Sequence, residues 1–514
     1  MNFPRAYCWA FSLVALALPF SNAMMSIATG LLGAVWLADC AMRRGRDSRA
    51  SSPTLNRSLN WVSVGLIALY VLHTIGMAWS EDWTYGLHDL RAKLPMLALG
   101  LAGLAVPPMV RKDRDRALKV FLFAVMAALL GLFLNAAFFA ESFGQGRAVS
   151  VYISHVRFGM MLAFSVVVAR YFSHAQTKTR CWWWAVLAAV LGGLWWMQAV
   201  TGFVMLAVLA PWWALPSGWS QRRRFRTAWT TGAVVILAAV ILLKVGMSAA
   251  GEPLHAEDLP THSAAGELYE HVDGSFIQEN GHFVWASVAW GELAYAWNQR
   301  STRSFNGKNL RGQSLSGTLI RFLASKGQPK DAEGVASLSS VEIAAIERGV
   351  PSTVELHGSG LVVRWNRLQF ALGRWRNGQG VQGSSALQRI EHLRAAWAVV
   401  SAHPLGGVGT GDVPSATAAA YEQINSALEP AFRHRAHNQY LALWEAFGLF
   451  GLFALLGWLA LGMYQGLREG SAGLLLPFIA MVAMAFLTED TLETQSGVTL
   501  VAWGAVLLSG WRAD

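Results

Sequence analysis

The stretch from Arg389 to Gly451 holds the densest set of side chains able to do chemistry, including HPLGGVGTGD at 403–412 and RHRAHNQYLALWEAFGLFGL at 433–452. His437 stands where a loop enters an apolar run. Histidine side chains titrate near neutrality, so a neutral imidazole there can take a proton from a hydroxyl or hydrogen-bond an anion. Asn438 either orients that ring or caps the helix that follows, and Glu445 lies two turns farther on, where a buried helix–helix hydrogen bond is an equal reading. Two arginines suit phosphate, because a planar guanidinium donates paired hydrogen bonds. They are Arg157 in YISHVRFGMM and Arg389 on an amphipathic segment. The plainer alternatives are interfacial snorkelling for Arg157 and simple solvation for Arg389. His155, Arg433, His434 and Arg435 extend a possible cationic rim, while Arg91 and Lys93 in LHDLRAKLP either meet phosphate or anchor an interface.

Two other chemistries are set aside. His434 and His437 are three apart, but no carboxylate or cysteine stands at a convincing spacing beside them, so no metal site is expected. GGVGTGD lacks the Lys-Ser/Thr of a phosphate-binding loop. Its glycines, Gly406, Gly407, Gly409 and Gly411, instead make a tight turn or admit a close backbone approach.

These residues must be positioned by elements that live in lipid. Of 514 residues, 54% are hydrophobic and 14% charged, and the mean hydropathy is +0.36. Soluble chains carry about 25% charged residues. Twelve apolar runs are long enough, or nearly so, to cross a bilayer core of about 30 Å. They are 7–20, 22–41, 59–79, 93–109, 118–140, 156–172, 181–198, 201–215, 228–247, 439–463, 472–488 and 495–511. The eighth is short and carries Pro211, with Pro216 just beyond. The net charge of +10 does not signal nucleic acid, because the basic residues sit in short loops between the runs. The clusters at Arg43, Arg44, Arg46 and Arg49, at Arg111, Lys112, Arg114 and Arg116, at Lys178 and Arg180, and at Arg222, Arg223, Arg224 and Arg226 all fall in even-numbered loops. The positive-inside rule then makes both termini cytoplasmic and places 248–438 outside. The last outer loop holds Glu489, Asp490 and Glu493 with no base. Tryptophans at 182–184 and 195–196 mark the two ends of the seventh run. Arg5, an apolar stretch and Ser21-Asn22-Ala23 also resemble a signal peptide, but a first membrane helix is preferred. Cys8, Cys40 and Cys181 imply no disulfide framework.

The expected fold is an all-α polytopic membrane protein with a large periplasmic insertion, α/β or mainly irregular, between the ninth and tenth runs. Its parts are a membrane domain at 1–247, the outer segment at 248–438 and a second membrane portion at 439–514. Within the outer segment, Ser339 and Glu342 form a capping box for a short helix ending at Gly349. Residues 353–365 have strand-like content. Ser385 and Gln388 form a second box, for a helix to about Ala402 whose apolar positions Leu387, Ile390, Trp397 and Val400 recur at helical spacing.

The motif region resembles the O-antigen ligase family, which also holds polysaccharide polymerases and bacterial protein O-oligosaccharyltransferases. The family pattern is an arginine on a helix, then PL-GVG-G, then HN with a leucine and a glutamate following, and a G–G pair opening a membrane helix. Here these are Arg389, Pro404 to Gly411, His437, Asn438, Leu441, Glu445, Gly448 and Gly451. The family's periplasmic-side arginine matches Arg157. The helix count and the large outer loop agree too, and the long insertion at 254–385 resembles a long-loop branch.

The resemblance implies glycan transfer from undecaprenyl pyrophosphate to a sugar hydroxyl of lipid A–core in the bacterial inner membrane, with the site facing the periplasm. It implies no cofactor and no nucleotide. Arg157 and Arg389 would hold pyrophosphate, His437 would activate or position the acceptor, and Asn438, His155, Arg91, Lys93, Arg433, Arg435 and Glu445 would contact substrate. A polymerase or a protein O-oligosaccharyltransferase uses the same donor chemistry. A transporter or flippase is the rival from another class; such proteins usually show internal repeats and ionisable groups at the bilayer midplane. No repeat is evident here, and the main intramembrane exceptions, His73 and Lys244, lie near helix ends.

Overall fold

The structure is a computed structural model. It describes residues 3–44, 60–105, 110–139, 153–197, 199–214, 252–358, 360–380, 384–468 and 474–509, with a few single positions between 223 and 234. The ninth apolar run, with Lys244, lies almost wholly outside the described residues, as do Pro216, Arg46, Arg49, Arg222 and Arg224. The chain is mostly helical and forms two compact units. The first comprises 1–235, 393–424 and 434–514; the second comprises 236–392 and 425–433.

The described residues of the first unit open with α1 (Phe3–Ala17), α2 (Asn22–Arg44), α3 (Trp61–Gly76), α4 (Trp83–Ala105), α5 (Arg111–Phe139), α6 (His155–Ala175), α7 (Arg180–Trp196) and α8 (Val200–Ala214). The second unit contains α9 (Trp290–Arg300), α10 (Leu315–Ser325), α11 (Ala332–Ala336), α12 (Ser340–Glu347), α13 (Thr353–His357) and α14 (Gly360–Arg376). The next helix, α15 (Ser385–Ala402), begins in the second unit and ends in the first. The first unit is completed by α16 (Val413–Gln423), α17 (Gln439–Arg468), α18 (Leu475–Thr488) and α19 (Gln495–Ser509).

Among the described residues, five helical stretches are long and apolar enough to cross a membrane: Asn22–Met42, Trp61–Trp79, Arg111–Phe138, His155–Ala175 and Gln439–Arg468. Several shorter apolar helices accompany them. The pattern is that of an all-α membrane protein. Its interior helices are apolar all round, as a helix with no solvent-facing side must be. Almost every residue of α18 and α19 is buried, and α6 is buried from Phe158 to Ala169. Phe121, Phe164 and Trp503 meet at ring separations of 5.3–6.5 Å. The outer helices expose Phe123, Phe138 and Trp195, a surface suited to hydrocarbon rather than water.

One boundary differs from the hydropathy reading. The run expected from 93 begins as helix at Trp83, so Arg91 and Lys93 lie within α4 rather than at its entrance. Hydropathy missed the first turns because they are polar; the helix tolerates Asp89 and Lys93 there because these pair with each other one turn apart.

The second unit has its own core, where Ile277, Val284, Leu293, Trp297, Leu319 and Phe322 are among the buried side chains. The capping box of α12 forms as expected: Ser339 Oγ accepts from Glu342 N, and the Glu342 carboxylate accepts from Ser339 N. The helix ends just before Gly349, whose φ is +84°. At the start of α15 it is Ser384, not Ser385, whose hydroxyl accepts, from Leu387 N, and Leu387 cannot complete a box. The strand-like reading of 353–365 is wrong. Those residues form α13 and the start of α14, because Ser352 caps the first helix through Glu355 N. Gly373 then lets α14 close on the chain at Phe276 and Ile277, where an added Cβ would lie 2.5 Å from a carbonyl oxygen. The strands that do form among the described residues are a two-residue pair, β1 (Gln278–Glu279) with β2 (His282–Phe283), antiparallel. The insertion is therefore mainly helical rather than α/β.

Candidate functional site

The glycine motif is a clamp made of backbone. Gly407 and Gly409 have φ of +66° and +95°, the left-handed region that favours glycine. Val408 N donates to Glu445 O and Gly409 N to Ala446 O, both at 2.9 Å. Gly448, at φ +62°, breaks α17 after two turns, and Leu449 N then donates to Pro404 O at 3.0 Å. A Cβ on Gly448 would lie 2.0 Å from Leu405 O. The far end of the motif holds the corner between α3 and α4. Thr410 Oγ1 donates to His73 O at 2.6 Å, and the Asp412 carboxylate accepts from Glu81 N and Asp82 N, each at 2.8 Å. The glycines thus admit a close approach of the chain to itself, fixing the opening of α17 against α3 and α4.

That opening carries the HN pair. Asn438 caps α17: its Oδ1 accepts from Leu441 N at 3.0 Å and its Nδ2 donates to Leu487 O at 3.1 Å. His437 precedes it at φ +46°, an uncommon conformation for a residue with a Cβ. The turn between α18 and α19 lies alongside. His437 Nδ1 is 3.5 Å from Asp490 Oδ1 and 3.9 Å from Glu489 Oε2. Arg157, in the first turn of α6, donates from Nε to Thr494 Oγ1 at 2.7 Å and brings a terminal nitrogen within 3.9 Å of Asp490 Oδ1. Asp490 therefore sits between a guanidinium and an imidazole that are 280 positions apart in the chain. His155 opens the same turn of α6.

A second charged cluster gathers around Glu493. Glu493 Oε2 accepts from Lys93 Nζ at 2.8 Å and Arg435 at 2.9 Å, while its Oε1 accepts from Gln439 Nε2 at 2.9 Å. Lys93 is fully buried and also pairs with Asp89. Burial opposes ionising Glu493, but the charges of Arg435 and Lys93 outweigh it and hold its carboxyl well below the usual carboxylate range. Glu445 is fully buried two turns into α17. Arg91 is exposed on α4. Arg389 and Arg433 belong to the second unit, where Arg389 is exposed and Arg433 Nε donates to Leu428 O.

Sequence reading missed Glu489, Asp490 and Glu493 as site residues. Their signal was present as the acidic last outer loop, but it served there only to set topology. The same three-dimensional contact brings the ligand atoms of His437, Glu489 and Asp490 within 4.8 Å of one another, a set able to accept a divalent ion, which spacing along the chain had not disclosed.

No curated protein matches the chain. Residues 340–456 match the family model described as O-Antigen ligase. That match takes in Arg389, the glycine clamp, the HN pair, Glu445 and the break at Gly448, and so this segment is an O-antigen ligase family domain.

Proposed function

We propose that the protein transfers a glycan from undecaprenyl pyrophosphate to a sugar hydroxyl of lipid A–core at the periplasmic face of the bacterial inner membrane. The observation that supports this best is Asp490, held between Arg157 and His437. In the reaction, the bond between the donor sugar's anomeric carbon and the pyrophosphate oxygen breaks, and a bond to the acceptor oxygen forms. His437 Nδ1 stands 3.5 Å from Asp490 Oδ1, and in this reading Nε2 takes the acceptor's hydroxyl proton. Arg157 meets the charge that grows on the departing pyrophosphate, a stabilisation greatest in the transition state. Asn438 fixes the imidazole's backbone, and His155 and Arg435 contribute positive potential around the phosphates. Undecaprenyl pyrophosphate leaves as product, and the activated donor linkage removes any need for nucleotide. The transfer is metal-independent in this reading, because Arg157 already supplies a fixed cation beside Asp490; turnover should be unchanged by a chelator.

The test is a surface-glycan gel of a strain lacking the gene, complemented with wild type or His437→Ala. Loss of the whole polymer ladder from core lipid A, with long chains accumulating on the carrier and no rescue by the variant, is the expected result. Core carrying a single repeat unit would make the protein a polymerase. An unchanged ladder would redirect the reading to glycoproteins or other exported glycans, and full rescue by His437→Ala would remove that residue from the mechanism.

A further inference from the structure

The second unit contains a cavity of about 360 Å³ that the transfer chemistry does not use. Four arginines line it: Arg311, Arg321, Arg367 and Arg374. Two are matched by carboxylates. Arg367 pairs with Glu355 through two parallel hydrogen bonds of 2.8 and 2.7 Å. Arg321 meets Glu279 at 2.8 Å and lies 3.7 Å above the Phe370 ring, which fixes its plane. The other two donate to neutral oxygens among the described residues: Arg311 to Gly349 O at 3.1 Å, and Arg374 to Gln379 Oε1 at 3.3 Å. The cavity wall therefore carries more positive charge than its own acids balance. Glu355 responds to that field. Burial would raise its carboxyl pKa, yet Arg367, with Arg321 and Arg311 behind it, holds it below the usual range.

We infer that this cavity binds an anionic saccharide, a sugar residue bearing a carboxylate or phosphate group, with Arg311 and Arg374 taking the charged group. The anionic character follows from the arginines, whose forked donors match carboxylate and phosphate oxygens. The size suits a sugar ring with its substituent, since small-molecule sites begin at about 300 Å³. That the ligand is a saccharide rests on the glycan-transfer reading. The insertion then selects which glycan the protein handles, by the presence of an acidic sugar.

The test is calorimetric titration of the full-length protein in detergent at low ionic strength. The probes are digalacturonate, galactose 6-phosphate, galactose and inorganic phosphate. At least one of the two anionic sugars should bind about tenfold or more tightly than either galactose or phosphate, with affinity falling as salt is added. Arg374→Gln and the double variant Arg311→Gln/Arg374→Gln should lose about tenfold or more of that affinity, a charge-assisted hydrogen bond or two. Arg374→Gln should melt with wild type, because its side chain holds only one neutral acceptor. Equal binding of galactose, equal binding of inorganic phosphate, or unchanged affinity in Arg374→Gln would each overturn the inference. Transfer activity is scored on the same preparation. Transfer without anionic-sugar binding sinks the cavity inference alone; binding through Arg374 in a protein that transfers no glycan sinks the transfer reading and leaves the anionic site standing.

Discussion

Replacing Asp490 with Asn isolates the electrostatic part of the proposed chemistry, because the amide keeps the shape and removes the charge. The carboxylate lies 3.5 Å from His437 Nδ1. Coulomb's law at that distance gives about 1 kcal/mol in water and about 5 kcal/mol at the effective dielectric of a protein surface. The pair falls between these limits, since Asp490 is largely buried and the His437 side chain is about one-third exposed. When His437 takes the acceptor proton, the new imidazolium loses that attraction in the variant. The turnover number should then fall by roughly ten- to a few-thousandfold. The donor KM should fall or stay put, because Arg157 no longer has Asp490 at 3.9 Å competing for its charge. Glu489→Gln, with its carboxylate at 3.9 Å, should have a smaller effect of the same sign. The assay is transfer by purified protein from lipid-linked donor to core lipid A, with donor concentration varied. A turnover number within twofold of wild type would refute the coupling of Asp490 to His437. A raised KM at unchanged turnover would instead make Asp490 a support for Arg157.

Two further outcomes follow from the scaffold. Gly448→Ala places a Cβ at φ +62° against Leu405 O and should destabilise the fold by more than about 2 kcal/mol; an unchanged melting temperature in detergent would mean the clamp is not rigid. Glu493 has a folded pKa below its unfolded one, so its stabilisation is fully present above the unfolded value of about 4.3 and fades as pH falls toward the folded one. Melting curves should therefore lose stability on acidification below that value, and Glu493→Gln should flatten this loss while melting lower at neutral pH.

Most helices were legible because lipid imposes a single strong requirement, a long apolar run, and α17 began at the residue where apolarity began. Hydropathy failed where polar residues are helical through pairing, as with Asp89 and Lys93 in α4. It failed again at 353–365, where β-branched content suggested a strand and a serine cap made a helix. His437, Asn438 and Arg157 were readable as candidates from residue type and family pattern. Their acidic neighbours were not, because Asp490 reaches Arg157 and His437 only when α6, α17 and α18 pack together. The distance is long in sequence and short in space, and no local periodicity records it.

A site proposed to handle pyrophosphate gains nothing obvious from carboxylates such as Asp89, Glu489, Asp490 and Glu493, and the resolution lies in which cations they hold. Asp89 and Glu493 enclose Lys93, and Glu493 also holds Arg435. A buried ammonium flanked by two carboxylates has little attraction left for a third anion, so in the proposed chemistry Lys93 is assigned to stiffening the fold rather than to gripping the donor. Arg157 is placed differently: one donor goes to Thr494, and its nearest carboxylate among the described residues is 3.9 Å away, beyond good hydrogen-bond range. The two positions should therefore answer differently to substitution. Lys93→Met leaves two buried carboxylates short of a partner and should cost about 3 kcal/mol or more in stability, with donor KM unchanged in whatever protein is recovered. Arg157→Met should leave the melting temperature nearly alone and weaken donor use. A Lys93→Met protein that melts like wild type but shows a raised donor KM would reverse these assignments and put the ammonium, rather than the guanidinium, against the phosphate.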